Sequence, residues 1–98
     1  MNVERSLVLR TETRVAPIGT PITLRVDDGW DRPVVGATVG SGPTKQTRTD
    51  ETGRCQLTFH APGFWKIRAA KSPDEHTVYK PATLLVRTVH PSRLPQTV

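Results

Sequence analysis

The sequence predicts an all-β domain, a sandwich of seven short strands, and three observations lead there. Apolar residues fall in short blocks that alternate with polar ones, the period of two expected of half-buried strands. Turn-forming segments separate these blocks at near-regular spacing, at residues 32–39, 49–54 and 61–65. No apolar stripe at i, i+3, i+4, i+7 reaches a useful length, whereas nine Pro and seven Gly suit a loop-rich β domain.

The first strand, residues 6–14, alternates weakly. Leu7 and Leu9 compete with Val8 for the inward face, and the strand is expected at a sheet edge. Residues 15–20 read as a Pro/Gly connection. Residues 21–27 alternate cleanly, with Ile22, Leu24 and Val26 inward and Thr23, Arg25 and Asp27 outward. A loop over 27–33 leads to a third strand, 34–40, with Val35, Ala37 and Val39 inward. A turn at 41–43 precedes a polar strand, 45–49, whose polarity suits an edge because it resists pairing with other chains. Residues 50–53 form a tight turn, in which the short Asp50 side chain caps the backbone and Gly53 supplies a positive φ. The fifth strand, 54–60, points Cys55, Leu57 and Phe59 inward. After Pro62-Gly63, residues 64–71 point Trp65, Ile67 and Ala69 inward, with Trp65 as the expected central plug. A polar loop over 71–79 precedes the last strand, 80–88, with Ala82, Leu84 and Val86 inward. Residues 1–5 read as a disordered N-terminus, 6–89 as the sandwich, and 90–98 as a tail or linker.

Ninety-eight residues make one domain, with a stability on the order of 5–10 kcal/mol. The single cysteine, Cys55, excludes an intramolecular disulfide, and its apolar alternation partners mark it as a buried thiol. The net charge of +5 is spread along the chain without a dense basic run. Such charge serves solubility or a polyanionic partner such as nucleic acid. No apolar segment approaches the length of a membrane span, so membrane insertion is not expected, and residues 1–5 carry no apolar signal region.

Several segments share the look of a known family. Residues 19–26 (GTPITLRV) are similar to the second strand of bacterial and archaeal surface immunoglobulin-like (Big-type) domains. Residues 33–39 (PVVGATV) resemble a segment those domains share with carboxypeptidase regulatory-like domains. The turn at 49–53 (TDETG) and the segments at 62–65 (PGFW) and 79–82 (YKPA) complete the likeness, which covers about residues 6–89. The resemblance implies a seven-stranded immunoglobulin-like or prealbumin-like β-sandwich. It further implies a module that spaces, binds or adheres, with a protein, a glycan or neighbouring domains as partner, at the cell surface or outside the cell. A cytoplasmic location follows instead if the chain is complete as given. The tail, 94–97 (LPQT), looks like the start of a sortase signal, but the required Gly is Val98 and no apolar segment follows.

In a seven-stranded sandwich the loops 27–33, 50–53 and 72–78 share one end. They carry Asp27, Asp28, Asp31, Asp50, Glu51, Asp74 and Glu75, seven of the nine carboxylates. Hard oxygen ligands from several loops suit Ca²⁺ or a cationic partner. The alternative is that these are ordinary turn residues, since no EF-hand spacing occurs. Trp30 is either an exposed contact among them or packed over the sandwich end. A second candidate surface is an outward basic row of Arg25, Arg54, Lys66 and Arg68, suited to nucleic acid or another polyanion. His60, His76 and His90 do not converge, and no Ser-His-Asp arrangement, phosphate loop or HExxH motif is present, so the chain reads as a non-enzyme.

Overall fold

The structure, a computed structural model, describes residues 3–91. These contain nine strands and no α-helix: β1 (Val3–Thr11), β2 (Val15–Pro17), β3 (Ile22–Asp28), β4 (Thr38–Gly40), β5 (Gln46–Arg48), β6 (Arg54–Leu57), β7 (Gly63–Ala70), β8 (Thr77–Lys80) and β9 (Ala82–Val89). They form two sheets, in the orders β6-β3-β1-β8 and β2-β9-β7-β4-β5. The core lies between the sheets and includes Leu24, Val26, Val39, Ile67 and Val86, all at most 1% exposed. The arrangement is therefore sandwich-like, with inward residues alternating along each strand.

Two strands fall where connections were expected. Residues 15–17 form β2, paired in parallel with β9, and residues 77–80 form β8, paired in parallel with β1. The cause is a change of sheet by two chain segments. Residues 3–17 leave the four-stranded sheet at 12–14 and join the five-stranded one. Residues 77–89 make the same crossing at Pro81, which lacks a donor for the ladder it interrupts. The two segments run side by side and close one edge of the sandwich.

Several expectations are corrected. β1 lies inside its sheet between β3 and β8, not at an edge. It begins at Val3, whose N–H donates to the His76 carbonyl at 2.6 Å, so residues 3–5 belong to the sheet rather than to a disordered end. Of the expected tail, residues 92–98 lie outside the described residues, as does the segment 94–97. Leu7, at 5% exposure, takes the inward face of β1. The third strand shortens to Thr38–Gly40, because Gly36 sits at φ 75° and breaks the alternation. Val34 is consequently buried and Val35 exposed.

Trp65 is half-buried and caps an end of the core instead of filling its middle. Its ring stacks on Phe59 at 4.7 Å. Its Nε1–H donates to the Thr88 hydroxyl, which donates to the Ala61 carbonyl, both at 2.7 Å. An indole needs such a partner, and the polar outlet at this end supplies it.

Cys55 is buried, and burial with the nearby Asp50 charge pushes its thiol up to about 11. Relative to the ordinary value of 9.0, thiolate at pH 8 is depleted about a hundredfold. Modification of the folded protein by a disulfide reagent is expected to be slower by at least that factor than in urea. Equal rates would show the thiol to be open.

Candidate anion-binding face

The seven loop carboxylates share one end of the sandwich, but Asp28, Asp50 and Asp74 are satisfied within their own loops. Asp28 is 3% exposed. Its Oδ1 accepts the amides of Trp30 (2.8 Å) and Arg32 (3.1 Å), and its Oδ2 accepts Arg32 Nε at 3.0 Å. Arg5 Nη1 lies 3.8 Å from the same Oδ2. Burial pulls the Asp28 carboxyl upward, but these amides and the Arg32 charge outweigh it and hold it below its ordinary 3.8. Asp27 is fully buried. Its Oδ2 accepts Arg10 Nε at 3.0 Å, while its Oδ1 has no hydrogen-bond partner among the described residues.

Asp50 caps its own turn, accepting the Thr52 hydroxyl (2.6 Å) and the amides of Thr52 and Arg54. Asp74 does the same with the amides of His76 and Thr77. Those bonds hold both carboxyls below 3.8, led by the Thr52 hydroxyl for Asp50 and the His76 amide for Asp74. Asp31 is exposed at φ 61° and lies 3.7 Å from Arg10 Nη2. Glu51 and Glu75 are exposed. Thr77 pairs with Val3 and Asp28 with Leu7, so the Asp74 turn lies about 13 Å further out along β1 than Asp28. Among the described residues no group of three or more His, Cys, Asp or Glu side chains is placed to hold a metal ion. The carboxylates share one end, but Asp28, Asp50 and Asp74 are turned onto the backbone of their own loops, Asp27 is buried against Arg10, and Asp31, Glu51 and Glu75 stand exposed and apart.

Trp30 is 78% exposed at the tip of this end, on a loop braced by Asp28. It does not pack over the core.

The basic row divides. Arg25 on β3 pairs with Arg54 on β6 in the four-stranded sheet, whereas Lys66 and Arg68 lie on β7 in the five-stranded sheet. Both pairs point outward, so they occupy opposite faces of the sandwich. Outward parity alone could not separate them, because it does not say to which sheet a strand belongs.

The five-stranded sheet carries the more distinctive surface. The sequences of β2, β4, β5, β7 and β9 contain no Asp or Glu. Their outward, exposed positions carry Arg48, Lys66, Arg68 and Arg87. Neutral residues face three of these cations across the ladder: Thr38 faces Arg48, Leu85 faces Lys66 and Thr83 faces Arg68. Phe64, 67% exposed, faces Arg87, whose guanidinium carbon lies 5.5 Å from the ring centroid. Leu85 is 50% exposed beside Lys66. A shallow groove passes Phe64 between Pro62 and Val89. Cations spaced by an aromatic and aliphatic platform suit an extended polyanion that presents apolar or ring surfaces.

Arg48, Phe64, Leu85 and Arg87 were not legible as one site from spacing. The available signal was the absence of acidic residues from five strand segments, and it acquires meaning only once those segments form one sheet. No family model, no curated protein and no solved structure matches the chain.

Proposed function

We propose that this protein is a non-catalytic binding module of the immunoglobulin-like sandwich type, and that the outer face of its five-stranded sheet takes an extended polyanion. One observation carries the reading: four outward cations stand on β5, β7 and β9 of a sheet whose five strands hold no carboxylate. Most of the chain's acidic residues lie in loops at one end, so the face presents an unbroken positive field. At the acidic loop end, Asp27, Asp28, Asp50 and Asp74 are engaged in capping and ion pairs, which favours the basic face as the binding surface.

Titrating a labelled single-stranded oligothymidylate with the protein, followed by fluorescence anisotropy, tests the proposal. Binding is expected to weaken with salt, at a slope of about −3 in log K against log[salt] if all four cations engage. The double variant Lys66→Glu/Arg68→Glu is expected to bind at least about tenfold more weakly. Phe64→Ala should weaken the oligonucleotide by about tenfold through lost stacking and leave heparin, which has no bases, little changed. No binding of either polymer at low salt, or binding indifferent to the charge reversal, would sink the reading.

A further inference from the structure

We infer that the opposite face holds a second, separate site, in which Arg25 and Arg54 bind a tetrahedral oxyanion of the phosphate or sulfate type. The strand register sets Arg10 opposite Arg25 and Arg25 opposite Arg54, so three arginines form one row across β1, β3 and β6. Like charges directly opposite each other in a sheet are destabilising. The five-stranded face avoids that arrangement, facing its cations with neutral side chains or Phe64.

The row is also unevenly neutralised. Arg10 is engaged, with Nε on buried Asp27 at 3.0 Å and Nη2 at 3.7 Å from Asp31. Arg25 and Arg54 form no ion pair among the described residues. Arg25 reaches only the Asp31 carbonyl, at 3.4 Å through Nη2, and its Nε is buried without a hydrogen-bond partner. A guanidinium with so few partners keeps an uncompensated charge that an anion in reach of its terminal nitrogens would neutralise. Of the two carboxylates nearest Arg54 in sequence, Glu51 is exposed and makes no ion pair among the described residues, and Asp50, though its charge is felt by Arg54, directs Oδ1 into its own turn.

The three arginines line one open hollow, together with Thr11, Thr23 and Glu12. Neighbouring strands are about 4.8 Å apart, so adjacent guanidiniums can share one anion with several oxygens. Arginine's planar fork suits phosphate and sulfate in particular. Glu12 lowers the net charge of the hollow and weakens the site.

The full chain should be titrated separately with inorganic phosphate, inorganic sulfate and, at matched ionic strength, chloride. The readout is the NMR signals of the arginine Nε–H groups. The Arg25 and Arg54 signals are expected to shift saturably with phosphate or sulfate and not with chloride, and the tighter of the two names the group the site prefers. Arg54→Gln is expected to weaken that binding by about tenfold. The same variant should unfold at higher denaturant in anion-free buffer, since it relieves the Arg25–Arg54 repulsion. Glu12→Gln should tighten binding, and Lys66→Glu/Arg68→Glu should leave it unchanged. Shifts that are linear, that match chloride, or that appear on Arg68 and Arg87 alone would overturn the site, and the last result would leave the polyanion face standing.

Discussion

Substituting valine for Gly53 is expected to lower the free energy of unfolding by about 4 kcal/mol, combining a strained backbone with overpacking. That approaches the whole stability of a domain this size, on the order of 5–10 kcal/mol. Gly53 lies at φ 77°, where a β-branched residue is strained. A Cβ there would stand 2.6 Å from the Val26 carbonyl oxygen and 2.9 Å from the Pro33 Cβ. Neither neighbour can move cheaply, because Val26 accepts from the Val34 amide and donates to the Gly53 carbonyl at 2.7 Å. Gly36 provides the control. It has a similar φ of 75°, but a Cβ would meet nothing within 4 Å. Gly36→Val should therefore show the backbone strain alone, roughly half the loss. Equal losses in urea denaturation would show that close packing against Val26 and Pro33 is not the cause.

The second large effect is expected at Asp28. Asp28→Ala strands the amides of Trp30 and Arg32 and removes the counter-charge of Arg32 and Arg5, a loss of about 2–3 kcal/mol. The lower end is favoured because Arg32 is itself 57% exposed and partly hydrated. The carboxyl is held below 3.8 in the folded protein, so its contribution is complete above that ordinary value. It is lost as the pH falls through the folded value. Asp50 and Asp74 are lowered in the same direction and add to the same acid loss. Stability measured from pH 7 down to pH 2 should fall below about pH 4. Asp28→Asn should fall less over that range. An Asp28→Asn curve parallel to that of the natural protein would show that Asp28 contributes nothing to it.

The legible parts of this molecule are those governed by local chemistry. Alternation placed Ile22, Leu24 and Val26, and also Cys55, Leu57 and Phe59, on buried faces. The turn at 50–53 was readable because an Asp cap and a positive-φ Gly act within four residues. Misplaced elements depend on distant partners. Residues 77–80 look like polar loop until β1 supplies a ladder for them, and residues 15–17 look like a connection until β9 does. Val35 alternates correctly on paper, and Gly36 undoes the alternation by turning the chain. The same limit governed the sites. Charge type and outward parity were visible, so Arg25, Arg54, Lys66 and Arg68 stood out. Which pair shares a face is a property of the sheet order, and the side-by-side placement of Arg10, Arg25 and Arg54 is a property of register. Neither is written in any single strand.

The parallel edge has a mechanical consequence. Val3–Thr11 lies beside Thr77–Lys80, and Val15–Pro17 beside Ala82–Val89, each pair running in the same direction. When a chain is drawn out from its two ends, parallel neighbours slide past one another along their length, whereas a hairpin peels open rung by rung. Tension between Val3 and Val89 is therefore shared at once by the two short ladders, of four and three residue pairs. A module stitched in this way holds its shape under load until both ladders give together.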